Sequence, residues 1–109
     1  MGGKSFDLND DLNILSIKSP KRFVGGPYTV VYKHIVERWA IVALDWDSKP
    51  RLGIRWFWDN SGNPFSRQPT WLVIPPTLSN STLNGLPLDY TFRDKLDQYL
   101  AGKISGNEL

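Results

Sequence analysis

Most of the chemical character of this chain lies between residues 51 and 71, where Arg51, Arg55 and Arg67 are interleaved with Trp56, Phe57, Trp58, Phe65 and Trp71. Guanidinium groups bind phosphate or carboxylate, and indole rings stack on planar groups, so the mixture suits an anionic or a planar ligand. Arg55 sits among large apolar residues, and its charge therefore needs either an opening to solvent or a carboxylate partner. The functional reading places Arg55 and Arg67 in an anion-accepting recess bordered by Trp56 or Trp71. The competing reading puts the same rings in the core and pairs Arg55 with Asp45, Asp47 or Asp59.

Other candidates for chemistry are sparse. His34 is the sole histidine, so a metal site or a Ser-His-Asp arrangement has only one imidazole to draw on, and no Gly-x-Ser-x-Gly turn presents a nucleophile. Cysteine is absent, which removes disulfides, thiolate nucleophiles and thiolate zinc sites. Asp45 and Asp47 alternate around Trp46, so on a strand both carboxylates face one side as an acid pair or as the polar entry to a turn. Asp59-Asn60-Ser61-Gly62-Asn63-Pro64 begins like a calcium loop, but Pro64 replaces the required glycine and Thr70 stands where a bidentate glutamate belongs. No cofactor, metal site or catalytic residue is therefore assigned.

The elements that must position these residues follow from periodicity. In 39–46 apolar residues run on both faces as far as Asp45, the pattern of a strand that needs cover on two sides. Beyond Asp47-Ser48-Lys49-Pro50, residues 51–58 alternate, with Leu52, Ile54, Trp56 and Trp58 on one face and Gly53, Arg55 and Phe57 on the other. The two segments read as an antiparallel hairpin. Residues 59–69 form a loop, and 70–74 a third strand stopped by Pro75-Pro76.

Upstream, the large residues at 28, 31, 32, 35, 36 and 39 predict a helix opened by Gly25-Gly26-Pro27, although Thr29-Val30-Val31-Tyr32 is β-prone and makes a strand the rival. In 1–26 the order is left open, because Leu8, Leu12 and Leu15 have helical spacing while 14–17 reads equally as a strand. A short helical turn is expected within 77–86. A closing amphipathic helix has Phe92, Leu96, Tyr99 and Leu100 on one face, a capping box of Thr91 and Asp94, and a stop at Gly102. Residues 103–109 read as a frayed tail. The expected fold is one α+β domain over 1–109, an antiparallel sheet of about three strands with two or three helices packed on it.

Within the same chemical stretch, Gly53-Ile54-Arg55-Trp56, Pro64, Ser66-Arg67 and 69–75 resemble small uncharacterised bacterial proteins, including products of integron mobile gene cassettes. The resemblance covers about a fifth of the chain, and no established activity comes with it. It implies a bacterial cytoplasmic protein of accessory or adaptive role.

The chain is Trp-rich, with five tryptophans in 109 residues, more indole than so small a domain readily hides. Tryptophan and arginine are enriched at interface hot spots, which favours a non-enzymatic binding or assembly module, a homo-oligomer, with a small anionic ligand as a further partner. The alternatives are a small nucleic-acid-directed toxin or regulator and a small hydrolase using Asp and His. A net charge of +2 supports nucleic acid weakly. No apolar run approaches the roughly 20 residues of a membrane span, and the N-terminus lacks the apolar core of a secretory signal, so a cytoplasmic location without membrane contact is expected.

Overall fold

The computed structural model of the chain describes residues 8–57 and 70–109. Trp58, the loop 59–69 with its calcium-like start, and Arg67 lie outside the described residues. The chain forms an α+β fold in which four strands make an antiparallel meander, β1 (Val24–His34), β2 (Trp39–Trp46), β3 (Lys49–Trp56) and β4 (Leu72–Ile74), in that spatial order. Helix α1 (Asp11–Leu15) precedes the sheet, and α2 (Pro76–Asn84), α3 (Tyr90–Leu100) and a 3-10 turn (Gly106–Glu108) follow it. No helix among the described residues is long and apolar enough to cross a membrane.

The expected hairpin is the centre of the sheet. β2 and β3 pair without a break from Trp39 opposite Trp56 to Trp46 opposite Lys49. The turn is tighter than expected: Asp47 and Ser48 form it alone, with φ of 51° and 67°, and Lys49 and Pro50 already belong to β3. Two successive positive φ values define the turn whose twist matches that of paired strands.

β2 is covered on both faces by its own chain. On one face Leu8, Ile14 and Ile17 pack over Ala40, Val42 and Leu44, together with Phe57 and Trp71. On the other, Leu83, Leu96 and Tyr99 from α2 and α3 pack over Ile41, Ala43, Leu52 and Ile74. Residues 40–44 are all at most 2% exposed, the burial expected of a strand with apolar residues on both sides.

The helix expected over 28–39 is not formed, because β1 runs through it. The physical reason is a pair of register shifts, between Gly25 and Thr29 and between Val30 and Tyr32. Each shift breaks the two-residue alternation of a strand. Tyr28, Val31 and Tyr32 consequently join one face of the sheet while Val24 and Val30 join the other. Apolar residues at 28, 31 and 32 thus imitate helical spacing on an extended backbone. Gly25-Gly26-Pro27 is part of the first irregularity and opens no helix. Gly26 has φ of 81°, and a Cβ there would lie 2.8 Å from the Tyr28 amide nitrogen, so glycine is required.

Two corrections concern the C-terminal third. The cap of α3 is Asp89, whose carboxylate accepts from the amides of Thr91 and Phe92 at 3.0 and 3.3 Å, so the expected Thr91 and Asp94 box is displaced into the first turn. The buried face, with Leu96 and Tyr99 at its centre, is the expected one, and Gly102 with φ of 79° follows the end of the helix. The tail is not frayed. Ile104 and Leu109 pack into the core, Ser105 N donates to Glu108 Oε2 at 2.8 Å, and Gly106 is buried against the Tyr28 ring. Arg93 ties α2 to α3 by donating to Asn84, Asn80 and Asp97.

Candidate functional site

Strand alternation separates the residues expected to share a recess. Arg55 pairs with Ala40 and lies on the α1 face, whereas Trp56 pairs with Trp39 on the α3 face. Directly opposed residues of an antiparallel pair share a face, and consecutive residues do not. Arg67 lies outside the described residues. Arg55 and Trp71 do come together. The Arg55 Nη1 donates to the Thr70 carbonyl at 3.0 Å, its guanidinium carbon lies 5.0 Å from the centre of the Phe57 ring, and Phe57 meets Trp71 edge to face at 6.5 Å. Arg55 is 6% exposed, and burial pushes its pKa down to about 10, leaving it charged at neutral pH. Trp71 is 4% exposed and donates its indole N–H to the Ile17 carbonyl at 2.8 Å, so it is a core residue.

The exposed aromatic surface is on the other face, at the end of the sheet where β1 turns into β2. Trp39 and Trp56 stand side by side across β2 and β3, His34 pairs with Trp39 from β1, and Leu72 pairs with Ile54 from β4. The His34 ring stacks on Trp39 at 5.5 Å and 21°, Tyr32 leans on Trp39 at 5.5 Å, and Glu37 Oε1 holds the Trp39 indole N–H at 2.9 Å. Trp39 is therefore fixed in place. Trp56 is 47% and Leu72 71% exposed, because α2 and α3 cover the opposite part of this face. Leu72 was missed as a surface residue. Its only signal is its alternation with Trp71 and Val73 on a strand of three residues, too short for a pattern.

His34 and Asp45 cannot form one centre, and Asp59 lies outside the described residues. His34 lies beside Trp39 at one end of β2 and Asp45 near the other, six residues along, which is about 20 Å at about 3.3 Å per residue. The His34 Nδ1 accepts from the Glu37 amide at 3.1 Å and so organises the β1–β2 turn. Asp45 accepts from Tyr28 Oη at 2.6 Å through one oxygen and from Tyr99 Oη at 2.9 Å through the other. Tyr99 Oη also bonds the Leu44 carbonyl. Asp47 lies in the tight turn, so the two carboxylates expected as a pair have different settings.

This Tyr-Asp-Tyr group makes a pH prediction. The hydrogen bond to Asp45, then burial and the carboxylate charge, raise the Tyr28 hydroxyl to about 12, and burial first of all raises Tyr99. Both hydroxyls hold their protons more tightly folded than unfolded, so their contribution is complete below pH 10, the unfolded value, and is lost as pH rises through the folded one. Urea midpoints compared at about pH 9 and about pH 11 are expected to fall more for the wild type than for Tyr28→Phe. Equal falls would show that the Asp45 bond to Tyr28 adds nothing.

An open cavity of about 220 Å³ adjoins Asp45, lined by Arg22, Phe23, Val24, Gly25, Asp47 and Ser48. Among the described residues no three of His, Asp and Glu gather to hold a metal. No protein-family model matches this chain, and neither a curated protein nor a solved structure matches it.

Proposed function

We propose that this chain is a non-enzymatic binding module that meets a protein partner with the open aromatic end of its sheet. The observation carrying this reading is the placement of Trp56 and Leu72, 47% and 71% exposed, beside the fixed Trp39 on the face that the helices leave partly open. Large apolar side chains gathered on one rigid sheet surface make the kind of patch used for association, and tryptophan is the residue type most enriched at binding hot spots.

The reading requires that these side chains contribute little to the fold of the isolated chain. Trp56→Ser and Leu72→Ser, melted at low concentration, are expected to stay within about 3 °C of the wild type, the range of ordinary surface substitutions. Leu83→Ser, 1% exposed on the same face, is expected to melt more than about 10 °C lower. Losses of that size for Trp56 and Leu72 would make them core residues and overturn the reading.

A further inference from the structure

We infer that the open cavity beside Asp45 binds a small zwitterion, an α-amino acid with an apolar side chain, whose ammonium is held by Asp45 and Asp47 and whose carboxylate is held by Arg22. The site is separate from the aromatic surface and lies toward the opposite end of β2. Its walls carry both signs of charge, Arg22 against Asp45 and Asp47, around about 220 Å³ of open space. Among the described residues neither the Arg22 guanidinium nor the Asp47 carboxylate takes part in an ion pair or a hydrogen bond, so the two do not neutralise one another across the cavity. A simple anion in this space meets two carboxylates, and a simple cation meets a guanidinium. A molecule with an ammonium at one end and a carboxylate at the other gives every wall charge an opposite partner.

The walls are held in place by the fold, which lowers the cost of binding. Asp45 is fixed by Tyr28 and Tyr99, whose bonds occupy two of the roughly four acceptor positions of its carboxylate and leave the others for a ligand. The Phe23 ring stacks on Trp46 with centres 5.2 Å apart and planes at 21°, and the Asp47 amide donates to the Phe23 carbonyl at 2.8 Å, which ties the tight turn to this wall. Gly25 stands directly opposite Asp45, where a Cβ would lie 3.5 Å from Asp45 Oδ2, and the first register shift of β1 follows at once. The missing side chain leaves the carboxylate open to the cavity, and irregularities of this kind are over-represented beside functional sites. Volume sets the size of the guest. At roughly 30 Å³ for a water-sized group the cavity takes about seven such groups, which suits a small amino acid and is too little for a nucleotide. The partly exposed Phe23 ring is the apolar wall for its side chain.

Amide NMR spectra of the full chain, titrated with L-valine to about 10 mM, test this. Amides of 22–25 and 45–48 are expected to shift with a Kd of about 1 mM or below. L-valinamide, which lacks the carboxylate, and isovalerate, which lacks the ammonium, are each expected to bind at least about tenfold more weakly. Arg22→Gln and Asp47→Asn change exposed side chains, and asparagine tolerates the positive φ of position 47. Both variants are expected to melt within about 3 °C of the wild type and to weaken L-valine at least about tenfold. Absence of shifts at these amides up to about 10 mM overturns the inference. So does L-valinamide or isovalerate binding as well as L-valine, or a folded variant that binds like the wild type. Each of these failures leaves the reading of the aromatic surface intact, because Trp39 and Trp56 stand at the other end of the β2–β3 pairing.

Discussion

Replacing Trp71 with alanine is expected to destabilise the fold by about 3–5 kcal/mol, the range for removing a large aromatic from a packed core. Against a typical total of about 5–15 kcal/mol, that leaves a large unfolded fraction at physiological temperature. The magnitude follows from position. Trp71 is 4% exposed, its ring meets the edge of Phe57, its Cβ lies within 3.4 Å of where a Gly53 side chain would begin, and its N–H reaches the Ile17 carbonyl on the segment covering this face. Trp71→Phe separates the two contributions. It retains most of the packing but leaves the buried Ile17 carbonyl without this donor, and the expected cost is about 1–3 kcal/mol. Urea denaturation of both variants measures the difference. If Trp71→Ala instead melts like the wild type, the indole is not part of the core, and a ligand-stacking role for it returns.

The second large effect is expected at Gly106. A Cβ built there lies 2.0 Å from Cδ2 and 2.2 Å from Cε2 of Tyr28, a distance at which no side chain is accommodated without movement. Tyr28 cannot easily give way, because its hydroxyl is bonded to Asp45 and its ring lies edge to face with Tyr99. Gly106→Ala is therefore expected to detach the 3-10 turn and expose Ile104 and Leu109, at a cost of about 1–3 kcal/mol as for other overpacked sites. Hydrogen exchange reads this directly. Amides of 103–109 should lose protection while the central pairing of β2 and β3 keeps it. Unchanged protection of the tail would mean that Tyr28 relaxes around the new methyl group. The same variant tests whether the tail is held by packing, which its polar sequence does not suggest.

The parts legible in the sequence are those whose pattern is local and regular. The alternation of 51–58, the apolar run of 39–44 and the turn residues between them specify the β2–β3 hairpin, though not that its turn is Asp47-Ser48 alone, because strand faces have a period of two and an uninterrupted ladder preserves it. The same alternation already placed Arg55 and Trp56 on opposite faces, so a recess walled by both was at odds with the strand on which they were placed. The face of α3 was legible for the corresponding reason, a clean helical stripe ending before Gly102.

Other features depended on contacts between distant residues. β1 was misread because its register shifts remove the period on which a strand is recognised, and those shifts exist only relative to β2. The need to cover both faces of β2 was visible in its composition, but not that Ile14 and Ile17 would cover one face and Leu83, Leu96 and Tyr99 the other. Tyr28, Asp45 and Tyr99 become one hydrogen-bonded group across up to 71 positions of chain, and Gly106 is fixed by a ring 78 positions earlier. Tryptophan composition set how much indole the chain must place. Which indoles are buried and which are exposed was decided by how far the helices reach over each face: they stop short of Trp56, while the N-terminal segment reaches Trp71. Local patterns record periodicity, whereas coverage of a surface is a property of the assembled layers.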